Sequence, residues 1–297
     1  MKNQKQAYIY ALSAVFLWST VATAFKLSLQ HLHTTELLLI AAFTSMASLL
    51  AILWAQANLH LLATLKSKDL LWSAILGFLN PFLYYLALFK AYDLLPAQIA
   101  QPLNMIWGVV IVLLSIPILK QKIKPRSFLA LFIAFFGVVV LSTGGNITSL
   151  EVKNPLGIAL ALSCSLIWSF YWLMNARDTM DPILRLFLNF GFGFLFTLIF
   201  YLLTTPIRPF PAAGITGAVY TGLFEMGITF FLWIKALKLT TTTDKVGILI
   251  YIAPFISLIF IHFILGETIR GSSVIGLILI VAGILVQQAD TLKKNKI

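Results

Sequence analysis

Residues 212–236 read AAGITGAVYTGLFEMGITFFLWIKA, with one acidic residue, Glu225, near the middle and one basic residue, Lys235, next to the end. A helix needs about 20 mostly apolar residues to cross the hydrocarbon of a bilayer, and this stretch is long enough. A carboxylate at the centre of such a segment costs several kcal/mol unless it is paired or hydrated, so Glu225 marks a functional position by default.

Outward from this segment the same pattern recurs along the whole chain. Apolar runs bounded by short polar breaks occupy roughly 7–29, 34–55, 70–92, 96–119, 126–144, 155–175, 182–204, 212–236, 243–265 and 272–289. The chain is 60% hydrophobic and only 10% charged, with mean hydropathy +0.95; soluble domains carry about 25% charged residues. Continuous runs of this length satisfy their backbone groups as helices, whereas a barrel would show short alternating segments. The expected fold is therefore all-α integral membrane, with ten transmembrane helices in a lipid bilayer. The breaks leave no room for a soluble catalytic domain.

The net charge of +11 does not point to nucleic acid, because no basic domain stands outside the runs. It follows the excess of Lys and Arg on the inner side of membrane proteins. With the N-terminus in the cytoplasm, 16 of the 21 basic residues fall on the inner side; Lys26, Lys90, Lys153, Arg208 and Arg270 fall on the outer. That bias places both termini in the cytoplasm. Lys2 and Lys5 ahead of an apolar run containing Ala22-Thr23-Ala24 resemble parts of a leader, but cleavage there would remove the first of the paired spans described next. The segment is read as a span. The single cysteine, Cys164, excludes an intrachain disulfide and supplies no metal set.

The two halves repeat. Ala11-Leu12-Ser13 and Trp18-Ser19 recur as Ala161-Leu162-Ser163 and Trp168-Ser169, Lys90-Ala91 recurs as Lys235-Ala236, and Gly137 recurs as Gly283. With five spans in each half, the second half enters the membrane from the opposite side. Charge agrees: the fourth span is followed by Lys120-Gln121-Lys122-Ile123-Lys124, the ninth by Gly266-Glu267-Thr268-Ile269-Arg270. Residues 1–147 and 148–297 are thus expected to be inverted five-helix repeats, a transporter architecture that binds substrate near the midplane where the repeats meet.

The residues also resemble a known family. Trp18-Ser19-Thr20-Val21-Ala22-Thr23-Ala24-Phe25-Lys26, the Ile252-Ala253-Pro254 stretch running on to Leu265-Gly266-Glu267-Thr268-Ile269, and Gly276 with Ala282-Gly283 are similar to features of the drug/metabolite transporter superfamily, specifically its ten-helix EamA group. Leu103-Asn104-Met105-Ile106-Trp107 looks like a stretch of the aromatic-amino-acid exporter branch, with Gly108 where that branch usually has proline. The resemblance implies movement of small metabolites across the inner membrane by alternating access, in the direction of export.

Glu225 suits either the amino group of a substrate or, as a protonatable carboxylate, proton coupling; the alternative is a carboxyl that glues neighbouring helices. At an offset of 145 its partner in the first half is Asn80. Gln101, Asn104 and Trp107 are spaced three apart on one helical face, an amide row beside an indole that suits a zwitterionic or aromatic ligand. Trp18 and Trp168 lie deep enough in their spans to line a cavity, and Tyr84 and Tyr251 could add hydroxyl or ring contacts. Lys26, near the outer end of the first span, could meet a substrate carboxylate or snorkel to the interface. No catalytic motif is present, so an enzyme is not expected, and no cofactor or metal is called for. The leading expectation is export of amino acids or related amine-bearing metabolites. Uptake or exchange of a vitamin or nucleoside-like compound stays open, as does oligomeric state.

Overall fold

The computed structural model describes residues 2–119, 125–146, 154–175, 178–241 and 243–294. Among the described residues all regular structure is helical. In chain order the helices are α1 (Gln4–Leu29), α2 (Thr34–Ala55), α3 (Ser67–Gly77), α4 (Tyr84–Leu94), α5 (Ala97–Asn104), α6 (Trp107–Leu119), α7 (Pro125–Ser142), α8 (Pro155–Asn175), α9 (Pro182–Thr204), α10 (Ala212–Thr221), α11 (Ile228–Leu239), α12 (Thr243–Gly247), α13 (Ala253–Leu265) and α14 (Gly271–Lys294). Two wide helical turns, Phe78–Leu83 and Gly222–Gly227, join α3 to α4 and α10 to α11.

Seven helical stretches among the described residues are long and apolar enough to cross a membrane: α1, α2, Ser67–Leu94, α8, α9, Ala212–Leu239 and Lys245–Leu265. Their ends are set by ordinary capping chemistry. The Asn3 side chain accepts the Gln6 N–H to start α1, and Asp181 accepts from Ile183 and Leu184 to start α9, with Pro182 in its first turn, where a missing N–H costs nothing. The protein is a multi-pass membrane protein, and its outer surface fits that solvent: Leu203, Ile207 and Phe263 are each 80% exposed.

Every expected apolar run coincides with a helix or with a broken pair of helices. The breaks were the part hydropathy hides. The fourth run divides between α5 and α6 just after Pro102, which lies within α5. Pro254 stands in the first turn of α13, where its missing N–H is tolerated.

The packing has a pattern. Helix α1 lies against α11 and α13, while α8 lies against α4 and α6; α2 packs on the wide turn at 222–227, and α9 on the one at 78–83. The two broken stretches, Ser67–Leu94 and Ala212–Leu239, are each 28 residues long. In each, a glycine at the edge of the wide turn is pressed onto a neighbouring backbone. A Cβ on Gly77 would lie 2.4 Å from the Asn189 carbonyl oxygen, and one on Gly222 would lie 2.5 Å from that of Ala41. Only a residue without a side chain allows these approaches. Helices α7 and α14 form the most extensive helix pair.

Ion pairs, one buried and one half-exposed, fasten the ends of two helices. At the start of α9, Arg185 donates through Nε and Nη2 to both carboxylate oxygens of Asp178, and through Nη1 to the Asp69 carbonyl at 2.9 Å and Ser73 Oγ at 2.5 Å. At the start of α2, Glu36 accepts two hydrogen bonds from Arg208, at 2.8 and 2.7 Å. That contact holds the Arg208 guanidinium above its ordinary range.

Candidate functional site

The two wide turns bring the chemistry together. In an uninterrupted helix every backbone group is paired to its neighbour a turn away; a wide turn frees groups and re-aims side chains, which is why such turns recur at functional sites. In the first, Asn80 leaves helical geometry altogether (φ −147°, ψ 118°). In the second, Gly227 absorbs the distortion (φ −98°, ψ −89°). Asn80 is fully buried and Glu225 is 9% exposed.

Glu225 is held from two sides. Tyr85 donates its hydroxyl to Glu225 Oε1 at 3.0 Å, and Trp18 donates its indole N–H to the Glu225 backbone carbonyl at 3.2 Å. The indole thus fastens α1 to the widened turn. The two donors, Tyr85 and Trp18, belong to a connected set of aromatic rings. Phe230 touches both tryptophans, with ring centroids 6.0 Å from Trp18 and 6.0 Å from Trp168. Tyr84 lies 4.8 Å from Trp168 and 4.7 Å from Tyr85. Trp18 and Trp168, expected to line a cavity, are joined through the Phe230 ring that lies against both.

Asn80 does not bond to Glu225. Neither its side-chain nitrogen nor its oxygen has a hydrogen-bond partner. The Tyr171 hydroxyl lies beside it and accepts from Asn189 Nδ2 at 3.1 Å. Asn189 was not picked out from sequence, although an amide within Leu186-Phe187-Leu188-Asn189-Phe190 is the kind of signal that singled out Glu225.

The amide row on α5 is partly engaged. Asn104 donates to the Tyr84 hydroxyl at 2.8 Å, which ties α5 to this set of rings. The side-chain oxygens of Gln101 and Asn104 are buried with no donor. Trp107 offers its carbonyl to Ser169 Oγ at 3.1 Å, and Tyr251 is buried in the core that contains Tyr84, Tyr85 and Phe230.

Lys26 stands apart. Its ammonium donates to the carbonyls of Tyr92 at 2.8 Å and Leu95 at 3.0 Å, the C-terminal end of α4. Across the tight turn, the Glu267 carboxylate accepts from the Ala97 N–H at 2.9 Å, the first residue of α5. A cation on a helix C-terminus and an anion on a helix N-terminus each complement the local dipole. Gln98 completes the fastening, donating to Glu267 Oε2 at 3.1 Å and accepting from Ser273 Oγ at 2.8 Å. Lys26, Gln98 and Glu267 thereby tie the α4–α5 turn to α1 and to the segment between α13 and α14. Among the described residues no group of His, Cys, Asp and Glu side chains could hold a metal ion.

Broken membrane-crossing helices around a buried carboxylate mark this as a polytopic membrane protein. The chain belongs to the EamA-like transporter family, whose model matches residues 5–143 and again residues 155–287. Among curated relatives, it is 25% identical to an uncharacterized transporter of Clostridium kluyveri over 60% of this chain and 59% of that one. It is 23% identical to one of Archaeoglobus fulgidus over 62% of each, and 24% identical to the uncharacterized transporter YyaM of Bacillus subtilis over 57% of this chain and 56% of that one. The chain spans about three-fifths of the length of these relatives. A protein of known crystal structure, 22% identical and covered over 99% of both chains, shares the fold with a TM-score of 0.66.

Proposed function

We propose that this protein is a secondary transporter that exports amino acids or related amine-bearing small metabolites across the inner membrane by alternating access, with Glu225 as the group that meets the amine. The carrying observation is the placement of Glu225. It is a buried carboxylate in a helix break, bonded by a single tyrosine hydroxyl among aromatic rings. An ammonium is the natural partner for such a group: the aromatic faces favour a cation, and pairing offsets the cost of burying the charge. A carboxylate of this kind can also carry a proton in exchange for substrate.

The membrane topology is part of the proposal. Ten spans form two five-helix repeats, 1–147 and 148–297, inverted with respect to one another, with both termini in the cytoplasm. Three things support it: the family model's two matches, the equal 28-residue broken stretches at an offset of 145, and the exchange of packing partners between α1 and α8. Asn80, Trp18, Trp168, Gln101, Asn104, Trp107 and Tyr84 line the ligand's surroundings in this reading, with Tyr251 behind them. Lys26 contributes by holding the α4–α5 turn.

Counterflow in proteoliposomes tests the function. Vesicles loaded with a millimolar unlabelled amino acid or amine are expected to accumulate the labelled compound transiently above its outside concentration, with saturation. Flux that never saturates and shows no overshoot for any member of an amino-acid and amine panel would overturn the carrier reading.

A further inference from the structure

Arg185 and Arg208 each hold a carboxylate, but Arg270, the residue just before α14, holds none. Among the described residues its guanidinium has no hydrogen-bond or ion-pair partner; its backbone N–H donates to Gln98 Oε1 at 3.0 Å. The side chain is exposed and reaches over the end of α7, with Nη1 3.7 Å from where a Cβ on Gly144 would stand. Two cavities meet there, and Arg270 and Gly144 line both. The smaller, about 280 Å³, has Leu95, Ile99, Leu141 and Ser142 in its walls. The larger, about 660 Å³, is a groove walled by Phe136 and Val140 of α7 and by Ser272 and Ile275 of α14. Counted from the helix ends at 1.5 Å per residue, Ile275 lies about 7 Å and Phe136 about 12 Å deeper than the guanidinium. Phe136 and Ile275 are both exposed. Beside them the two helices touch: a Cβ on Gly137 would lie 2.8 Å from the Gly276 carbonyl oxygen.

An unpaired cation at the end of membrane helices, above an apolar groove on the lipid-facing side, suits a ligand with an anionic head and an apolar tail. A free anion would use the guanidinium and leave the groove empty. A guanidinium grips a phosphate through two parallel N–H donors, which a lysine in the same place would not do. The smaller cavity adds a polar group: Ser142 Oγ is buried with no partner, and a buried hydroxyl calls for one. We infer that Arg270 and the α7–α14 groove bind one phospholipid with a negative, hydroxyl-bearing head such as that of phosphatidylglycerol. The phosphate sits on the guanidinium, an acyl chain runs along Val140, Ile275 and Phe136, and the hydroxyls of the head turn toward Ser142. Gln98, which accepts from the Arg270 N–H, also donates to Glu267, so the bound lipid fastens the same α4–α5 turn that Lys26 holds. The site stands independently of what the protein carries.

Thermal unfolding of the delipidated full-length protein in dodecyl maltoside tests the site with three probes: dioleoyl phosphatidylglycerol, dioleoyl phosphatidylcholine and inorganic phosphate. Phosphatidylglycerol is expected to raise the midpoint saturably, with a half-saturating concentration about tenfold below that of phosphatidylcholine, the worth of one charge-assisted contact. Inorganic phosphate at the same concentrations should leave the midpoint where it was. Arg270→Gln should erase the preference between the lipids, and because the side chain is exposed and unpaired the variant should fold. If it does not, Arg270→Lys decides: it keeps the charge without the fork and should still lose most of the preference. Lys90→Gln, which removes another exposed cation, should leave the preference intact, while Ile275→Trp, which puts an indole into the groove, should weaken both lipids. Equal half-saturation for the two lipids, a preference that survives at Arg270, or one lost equally in Lys90→Gln would overturn the inference. Stabilisation by inorganic phosphate equal to that by phosphatidylglycerol would also overturn it, showing a site for a free anion.

Discussion

Glu225→Gln is expected to abolish substrate-driven flux while leaving folded protein in the membrane. The substitution keeps the shape of the side chain and an oxygen that can still accept from Tyr85, so packing around the Gly222–Gly227 turn is retained. What is lost is the charge. Removing one partner of a buried charged pair costs about 2–5 kcal/mol, and at about 1.4 kcal/mol per decade the lower figure already means roughly thirtyfold in affinity for an amine. If the carboxylate also carries the coupled proton, the loss in flux exceeds the loss in binding. Initial uptake rates in proteoliposomes, with gel filtration of the same preparation as the folding control, measure both. Flux within a factor of two of wild type would show that Glu225 only joins helices.

Arg185→Met should be the most destabilising single change outside the site. Arg185 and Asp178 have side chains only 6% and 12% exposed, and the guanidinium also satisfies the Asp69 carbonyl and Ser73. Truncating one member of a buried ion pair leaves the other without compensation, at about 3–5 kcal/mol. The pair ties the start of α9 to α3 and to Asp178, just before α9, so the variant should lower the unfolding midpoint in detergent and reduce the yield of monodisperse protein. Adding Asp178→Asn should recover part of the loss, because the stranded carboxylate is then neutral. A midpoint unchanged in the single variant would mean that water already serves these groups.

The helical membrane fold could be read from the sequence because lipid imposes a simple rule. Twenty apolar residues in a row must pair their own backbone, and each expected run is a helix or a broken pair. The proposed repeat rests on Trp18 and Trp168 and on Lys90 and Lys235, residue types that are rare within apolar runs. The breaks were half visible. Pro81 and Pro102 mark two of them by lacking an N–H, but the Gly222–Gly227 turn contains no proline, and the approach of α2 to Gly222 is a tertiary fact. Glu225 stood out as a charge at the centre of a span, and Asn80 followed from it through the repeat. Asn189 and the union of Tyr85 with Glu225 depend on which helices are neighbours, and hydropathy carries no information about that. Lys26 shows the same limit: its position near a helix end was plain, but the two carbonyls it serves belong to another helix, 66 and 69 residues away.

The central claim is that two halves of one chain, facing opposite ways, place Asn80 and Glu225 at matching breaks. Single cysteines in the corresponding loops test it most directly. In a Cys164→Ser background, Ala63→Cys reports on the segment between α2 and α3, and Ile207→Cys on the segment between α9 and α10; both positions are exposed. A membrane-impermeant maleimide added to intact cells should label the cysteine at 207 at once and reach the one at 63 only after the membrane is opened. Labelling of both from the same side would contradict the inverted arrangement and, with it, the site built on it.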